Sequence, residues 1–293
     1  MSHVSNVMLC LAAALSTVAQ AASMPEFGPN PAVSWIAIYS ELQPPPSGPG
    51  PVLQDPAHPR VTNAEYRRTG RQPTQPIADL NNPILQPWVR EELRRHNAFA
   101  LSGQATMSRS ASCWLEGVPA FLLHPIRPYF FIQTPDKVVI IYEGDNDVRH
   151  IYLTDKHSDS VKPSWFGDSI GYYEGDELVV DTIGVTTKTF VDNYFTPHTE
   201  QLHVVERFRL HEGGDRIEAR IHVEDPGAFT MPWDAVQRFR RVEPGRADND
   251  LPLSEVGSQG LAAPLQEVRC AESTFSFSGD RELEIPHADK PDF

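Results

Sequence analysis

Gly167-Asp-Ser-Ile-Gly171 sets a serine between two glycines, and Asp181 and then His198 or His203 follow it. That is the chain order of nucleophile, acid and base in α/β-hydrolases. The hydrolase turn needs a strand before the serine and a helix after it, so that the hydroxyl stands exposed. Here residues 169–174 and 177–185 are β-rich and are joined by Gly175-Asp176, a two-residue turn that tolerates positive φ. Ser169 is therefore expected to open a strand, its flanking glycines allowing a bulge or close packing. Serine hydrolysis through Ser169 stays an alternative.

A second group of ionisable residues sits in apolar company. Residues 203–210 alternate, with Val204, Glu206, Phe208 and Leu210 on one face and His203, Val205, Arg207 and Arg209 on the other. Glu206 thus lies on the apolar face, where an unpaired carboxylate is costly. Asp181 lies in Leu178-Val-Val-Asp-Thr-Ile-Gly-Val185, a run apolar on both faces, and Arg149 shares a face with Ile151 and Leu153. Three inward-facing ionisable groups predict a polar cluster inside the fold. Such a cluster is either a satisfied structural network or a carboxylate tuned for proton transfer, raised by burial and lowered by a nearby arginine. In the second case Glu206, Asp181 and His198 are the candidate catalytic set for lyase, isomerase or hydrolase chemistry without an organic cofactor.

Tyr142, Tyr152, Trp165, Phe166, Tyr172, Tyr173 and Trp233 make the same region aromatic. Most belong to a core, but some could line a site for a flat or apolar ligand. The candidate ligand contacts are Arg149, Tyr142, Trp165, Tyr173 and His203. His198 and His203 are five apart, which puts them on opposite faces of one strand, and His157 stands alone upstream. There is no His-x-His pair and no CxxC, so no metal is expected. His198 is expected in an exposed loop and His203 at the surface.

The elements that hold these residues are mostly strands. From residue 113 onward, residues 120–123, 129–133, 137–143, 148–153, 169–174, 177–185, 203–210, 216–224 and 234–242 read as strands. They are separated by Thr134-Pro-Asp136, Gly144-Asp-Asn-Asp147, Gly175-Asp176 and Gly213-Gly-Asp215. About nine short strands with tight turns predict an antiparallel meander closing into a lipocalin-like, calycin-type barrel, which removes exposed edges. Before it comes one helix, with Pro87 in its first turn, Glu91 and Glu92 early and Arg94 and Arg95 late. Its apolar stripe is read as Trp88, Leu93 and Phe99. Residues 22–82 form a Pro-rich irregular arm in which residues 35–39 are the one strand candidate. Residues 83–270 form the barrel domain and 271–293 a tail.

The 293 residues carry a formal net charge of −14, which argues against nucleic acid and anionic membranes as partners. The apolar run of residues 7–15 and the small-x-small pattern Val18-Ala-Gln-Ala21 read as a secretory signal ending at residue 21, although only His3 could supply positive charge before it. No later run approaches the length of a membrane span, so no stable membrane insertion is expected. The expected location is periplasmic or secreted. Of three cysteines, Cys10 leaves with the signal, and Cys113 and Cys270 remain as an even pair in an oxidising compartment.

Several segments, in order, resemble a large and mostly uncharacterised family of exported bacterial proteins. They are Cys113-Trp-Leu-Glu-Gly-Val-Pro119, Gln133-Thr-Pro135, Tyr142-Glu143 and Arg149-His-Ile-Tyr152, then the stretch from Gly167 through Glu174-Gly-Asp176 to Asp181-Thr182. His198-Thr-Glu-Gln-Leu-His-Val-Val-Glu-Arg207 and Asp225-Pro226 to Pro232-Trp233 complete the set. The resemblance spans residues 83–270 and implies an exported, β-rich protein with Cys113 paired to Cys270. It implies no activity. The chain departs from it at Asp168, where members often carry histidine, and at Tyr173, where they often carry tryptophan. The sequence as a whole predicts an exported barrel that holds a small apolar or aromatic molecule in its interior.

Overall fold

The computed structural model describes residues 24–30, 33–104, 114–125, 127–144 and 147–242. The expected signal, Cys113, Cys270 and the tail lie outside the described residues. Nine strands close into a barrel in sequence order. They are β1 (Ser34–Ala37), β2 (Tyr129–Gln133), β3 (Lys137–Tyr142), β4 (Asp147–Leu153), β5 (Asp168–Glu174), β6 (Glu177–Ile183), β7 (His203–His211), β8 (Arg216–Glu224) and β9 (Trp233–Val242).

One of the nine expected strands changes identity, and the arm supplies its replacement. The stretch after Pro119 is a 3-10 turn, Ala120–Leu122, entered through Gly117 at φ +77°. A short apolar run carries no periodicity to separate turn from strand. The ninth stave is β1 from the Pro-rich arm. It pairs with β9 through Ser34↔Val242 to Ala37↔Phe239 and with β2 through Trp35↔Tyr129. The arm then continues along the wall rather than away from it, with Gln43 and Val236 exchanging backbone hydrogen bonds of 3.0 and 2.8 Å.

The meander is mixed rather than wholly antiparallel. β4 and β5 run parallel and share only Tyr152↔Ile170 and Leu153↔Gly171, because the chain crosses back over residues 154–167 between them. Every other neighbouring pair is antiparallel. β4–β5 is thus the narrow seam of the barrel. Gly171 sits in it, and a Cβ there would lie 2.8 Å from Ile151 Cγ2.

Side chains fill the barrel. Trp35, Tyr129, Phe131, Phe208 and Phe239 are buried within it. Phe27 packs on Phe131 and Phe208 at one end. At the other end Phe121 packs on Tyr129, whose hydroxyl donates to Phe121 O at 2.8 Å. Among the described residues two helices lie outside the barrel, α1 (Asn63–Thr69) and α2 (Pro87–Leu101). The buried face of α2 is Val89, Leu93 and Asn97 rather than the expected Trp88, Leu93 and Phe99. Asn97 accepts from Ala78 N and donates to Ala78 O, both at 2.9 Å, and so takes a position that periodicity reserves for an apolar residue. Among the described residues no helix is long and apolar enough to cross a membrane.

Candidate functional site

Strand alternation puts Arg149, Ser169, Thr182 and Glu206 on the inner face of four strands, β4 to β7, and all four are buried. Arg149 donates from Nη1 to Glu206 Oε1 at 3.0 Å and from Nη2 to Oε2 at 2.5 Å, a two-pronged ion pair. Nη2 also donates to Thr182 Oγ1 at 2.9 Å, and Nε and Nη2 lie 3.4 and 3.3 Å from Ser169 Oγ. Ser169 and Thr182 hydroxyls meet at 2.9 Å, and Ser169 Oγ also donates to Phe166 O at 3.3 Å. An inner cluster forms with two of its three expected ionisable members, Arg149 and Glu206, and it forms as a network in which every member is hydrogen-bonded. Arg149, expected as a ligand contact, is spent on Glu206. Ser169 faces an arginine and a threonine, not a histidine, so no Ser–His–Asp set is assembled around it.

Asp181 is not in that cluster. Val180 is the residue opposite Glu206, and Asp181 stands opposite Val205, so Asp181 points outward. His198 is in neither place. It is buried in the loop between β6 and β7, with Nε2 2.8 Å from Thr189 Oγ1 and Nδ1 donating to Thr199 O at 2.9 Å. This corrects the expectation of an exposed His198. The set Glu206, Asp181 and His198 is therefore divided between the barrel interior, its outer wall and a packed loop.

On the outer wall Asp181 gains different companions. Its Oδ1 lies 3.0 Å from Nε2 of His157, on the crossover, and 3.0 Å from Nε2 of His203, on β7. The contacts continue in both directions. His157 Nδ1 is 3.4 Å from Asp168 Oδ2 without hydrogen-bond geometry, and His203 Nδ1 is 3.5 Å from Glu224 Oε2. Glu224 Oε1 lies 3.1 Å from His222 Nε2, and His222 Nδ1 lies 2.7 Å from Asp234 Oδ1. Four carboxylates and three imidazoles thus alternate across the outside of β5 to β9: Asp168, His157, Asp181, His203, Glu224, His222, Asp234.

The charges in this ladder support one another. The hydrogen bond from His203 holds the Asp181 carboxyl below its ordinary range; burial opposes this, and His157 adds to it. The bond to Asp181 raises His203 against its partial burial, and Glu224 adds to the rise. Burial disfavours charge on His222, but Asp234 and Glu224 outweigh it and raise the ring. His222 and then His203 hold Glu224 low. Sequence reasoning puts Asp181 and His203 in separate roles, sets His222 and Glu224 on the wet face of their strand, and gives neither them nor Asp234 a role. The signal lay in the pairing His203↔Glu224 and His222↔Asp234, which needs the register of β7 to β9. Among the described residues no three such groups are placed to hold a metal ion.

A cleft of about 880 Å³ opens at the barrel mouth beside the β4–β5 seam. Met24, Gln133, Pro135, Leu153, Tyr172 and Tyr173 line it, with Thr134, Thr154, Asp155 and Gly171. Gln133 organises this mouth. Its Oε1 accepts from Phe27 N at 2.7 Å, and its Nε2 donates to Pro25 O at 2.9 Å and to Tyr173 Oη at 2.8 Å. Of the expected ligand contacts, Tyr173 alone lines this cleft. Tyr142 is buried, stacked between His124 and Tyr129 with ring centres 4.9 Å from each. Trp165 packs on Trp114 at 5.8 Å, and His203 belongs to the ladder. A smaller cleft of about 310 Å³ lies between Pro45, Pro46 and the wall of β7 to β9.

Comparison of the chain with family models and with curated proteins returns no match.

Proposed function

We propose that this is an exported β-barrel protein that binds a small apolar or aromatic molecule, and that the molecule sits at the barrel mouth. The observation that carries the reading is the cleft beside the β4–β5 seam. Its volume of about 880 Å³ suits a small-molecule ligand. Its walls are Met24, Pro135, Leu153 and two tyrosines, with the amide of Gln133 and the hydroxyl of Tyr173 as fixed polar groups. An apolar lining with a few positioned polar groups favours a ligand that is mostly hydrocarbon or ring, with one hydrogen-bonding edge.

The seam explains why a cleft is here. Only two residue pairs join β4 to β5, and Gly171 adds no side chain to the gap. The interior, by contrast, is occupied by aromatic rings and the Arg149–Glu206 pair. Titration with N-phenyl-1-naphthylamine, a neutral aromatic probe, tests the reading. Saturable fluorescence enhancement is expected, and Tyr173→Ala should weaken it about tenfold while leaving the melting temperature within a few degrees. Binding that is absent, or indifferent to Tyr173→Ala and to Leu153→Ala alike, refutes it.

A further inference from the structure

The crossover that walls the mouth cleft has an unusual anchor. Residues 154–160 are all exposed except His157. Thr154 and Asp155 at the start of this segment line the cleft. On the far side the chain is tied again from Val161 onward: Ser164 N donates to Gly184 O at 3.0 Å, and Thr186 N to Ser164 O at 2.8 Å. Between those ties the chain meets the wall through His157, whose Nε2 contacts Asp181 Oδ1 and whose Nδ1 lies near Asp168 without a hydrogen bond, and through Ser158 N, which donates to Asp168 Oδ2 at 2.8 Å.

Both nitrogens of His157 face carboxylates. A protonated ring donates Nε2–H to Asp181 and brings its positive charge within 3.4 Å of Asp168 Oδ2, where Nδ1 makes no hydrogen bond. A neutral ring keeps one N–H for the two carboxylates and loses its charge attraction to both. The groups around it act in the same sense. Asp168 faces it from β5 and Asp181 from β6, and His203 shares Asp181 from β7. Glu224 and His222 on β8 and Asp234 on β9 continue the ladder behind His203. On the crossover itself Lys156 and Asp159 pair with each other, 3.6 Å apart and solvent-exposed. When the imidazoles lose their protons, four carboxylates remain with fewer N–H groups between them.

We propose that His157 and the imidazole–carboxylate ladder form a pH-sensitive clasp that holds residues 154–160 against the barrel wall and thereby sets the shape of the mouth cleft. The clasp is closed while the imidazoles are protonated and opens as pH rises through their titration. Its effect on ligand rests on the reading of the mouth as a binding site; the clasp itself does not.

Trypsin cleavage after Lys156 reads the clasp directly, because that bond lies beside His157. Rates are measured by mass spectrometry and divided by those of a free peptide of the same sequence at each pH. For wild type, the normalised rate should rise about tenfold between about pH 6 and pH 9, as an imidazolium titrates. Asp181→Asn leaves the cleaved sequence intact and should be cut fast at both pH values. A wild-type rate that does not change with pH overturns the clasp, as does an Asp181→Asn protein that stays as protected as wild type. Should Asp181→Asn fail to fold, NMR titration of the His157 ring in wild type decides. Its midpoint must coincide with that of the cleavage profile, and a mismatch overturns the clasp. N-phenyl-1-naphthylamine affinity at the same two pH values tests the link to the cleft. A several-fold change is expected. Unchanged affinity while cleavage responds overturns the control of binding, and no binding at either pH sinks the ligand reading while cleavage still judges the clasp.

Discussion

Glu206→Leu tests whether the inner network is a structural ion pair. Both partners are fully buried. The substitution removes the two charge-assisted hydrogen bonds from Arg149 and leaves its guanidinium with the hydroxyls of Thr182 and Ser169. Two such bonds are worth about 1.5–3 kcal/mol each. The hydrophobic gain of leucine returns part of that, so the net loss should be about 3–5 kcal/mol, the usual result of stranding one buried charge. In a chain of this size that lowers the melting temperature by on the order of 10 °C. Urea unfolding followed by tryptophan fluorescence measures it, since Trp35 and Trp233 are buried and report the core. Adding Arg149→Met to Glu206→Leu should recover most of the loss, because no charge is then stranded. A single mutant within about 1 kcal/mol of wild type refutes the reasoning. So does a double mutant no more stable than the single one, since the two residues would then not act as a pair.

Three further expectations follow from the same contacts. His203 and His222 are raised, so their contribution is full below the ordinary histidine value and is lost as pH rises through the raised one. Asp181 and Glu224 are lowered, so theirs is full above the ordinary carboxylate range and is lost as pH falls through the lowered values. Together these place the ladder's greatest contribution between about pH 4.5 and pH 6.5; melting temperatures across pH check this, and stability still climbing toward about pH 9 contradicts it. Asn97→Leu strands Ala78 N–H and C=O beneath α2 and should cost about 2–4 kcal/mol in urea unfolding. Gly171→Ala puts a methyl group 2.8 Å from Ile151 Cγ2 and 3.2 Å from Val179 O, and should destabilise the seam by about 1–3 kcal/mol.

The strands from β2 onward were legible because each is a run of alternating or apolar residues closed by a turn signal, and turn chemistry is local. What escaped were features set by distant partners. Residues 35–39 were legible as a strand candidate, but nothing in that Pro-rich segment showed that β1 closes the barrel between the edges of β2 and β9. The parallel pairing of β4 and β5 was hidden for a similar reason. Parallel neighbours need a crossover, usually a helix. Residues 154–167 carry no helical pattern, so nothing in them announces that the chain returns to its starting end.

The candidate site shows where alternation works and where it fails. Along β7 the pattern is clean, so Glu206 was placed inward correctly, and Arg149 on β4 likewise. Along β6 the pattern vanishes, because Val179 on the outer face is as buried as Leu178 and Val180. Without a wet face to mark the phase, Asp181 could be assigned to either side. The error is one residue, yet it exchanges partners entirely. An inward Asp181 would join Arg149 and Glu206, whereas the outward one joins His157 and His203. That single step moves the titrating chemistry from a sealed interior, where Glu206 is already neutralised by Arg149, to a wall that solvent and the crossover both reach. The two faces of β6 and β7 therefore do different work. The inner one fixes the barrel through a fully buried ion pair, and the outer one carries imidazoles, His203 and His222 raised among them, that solvent reaches.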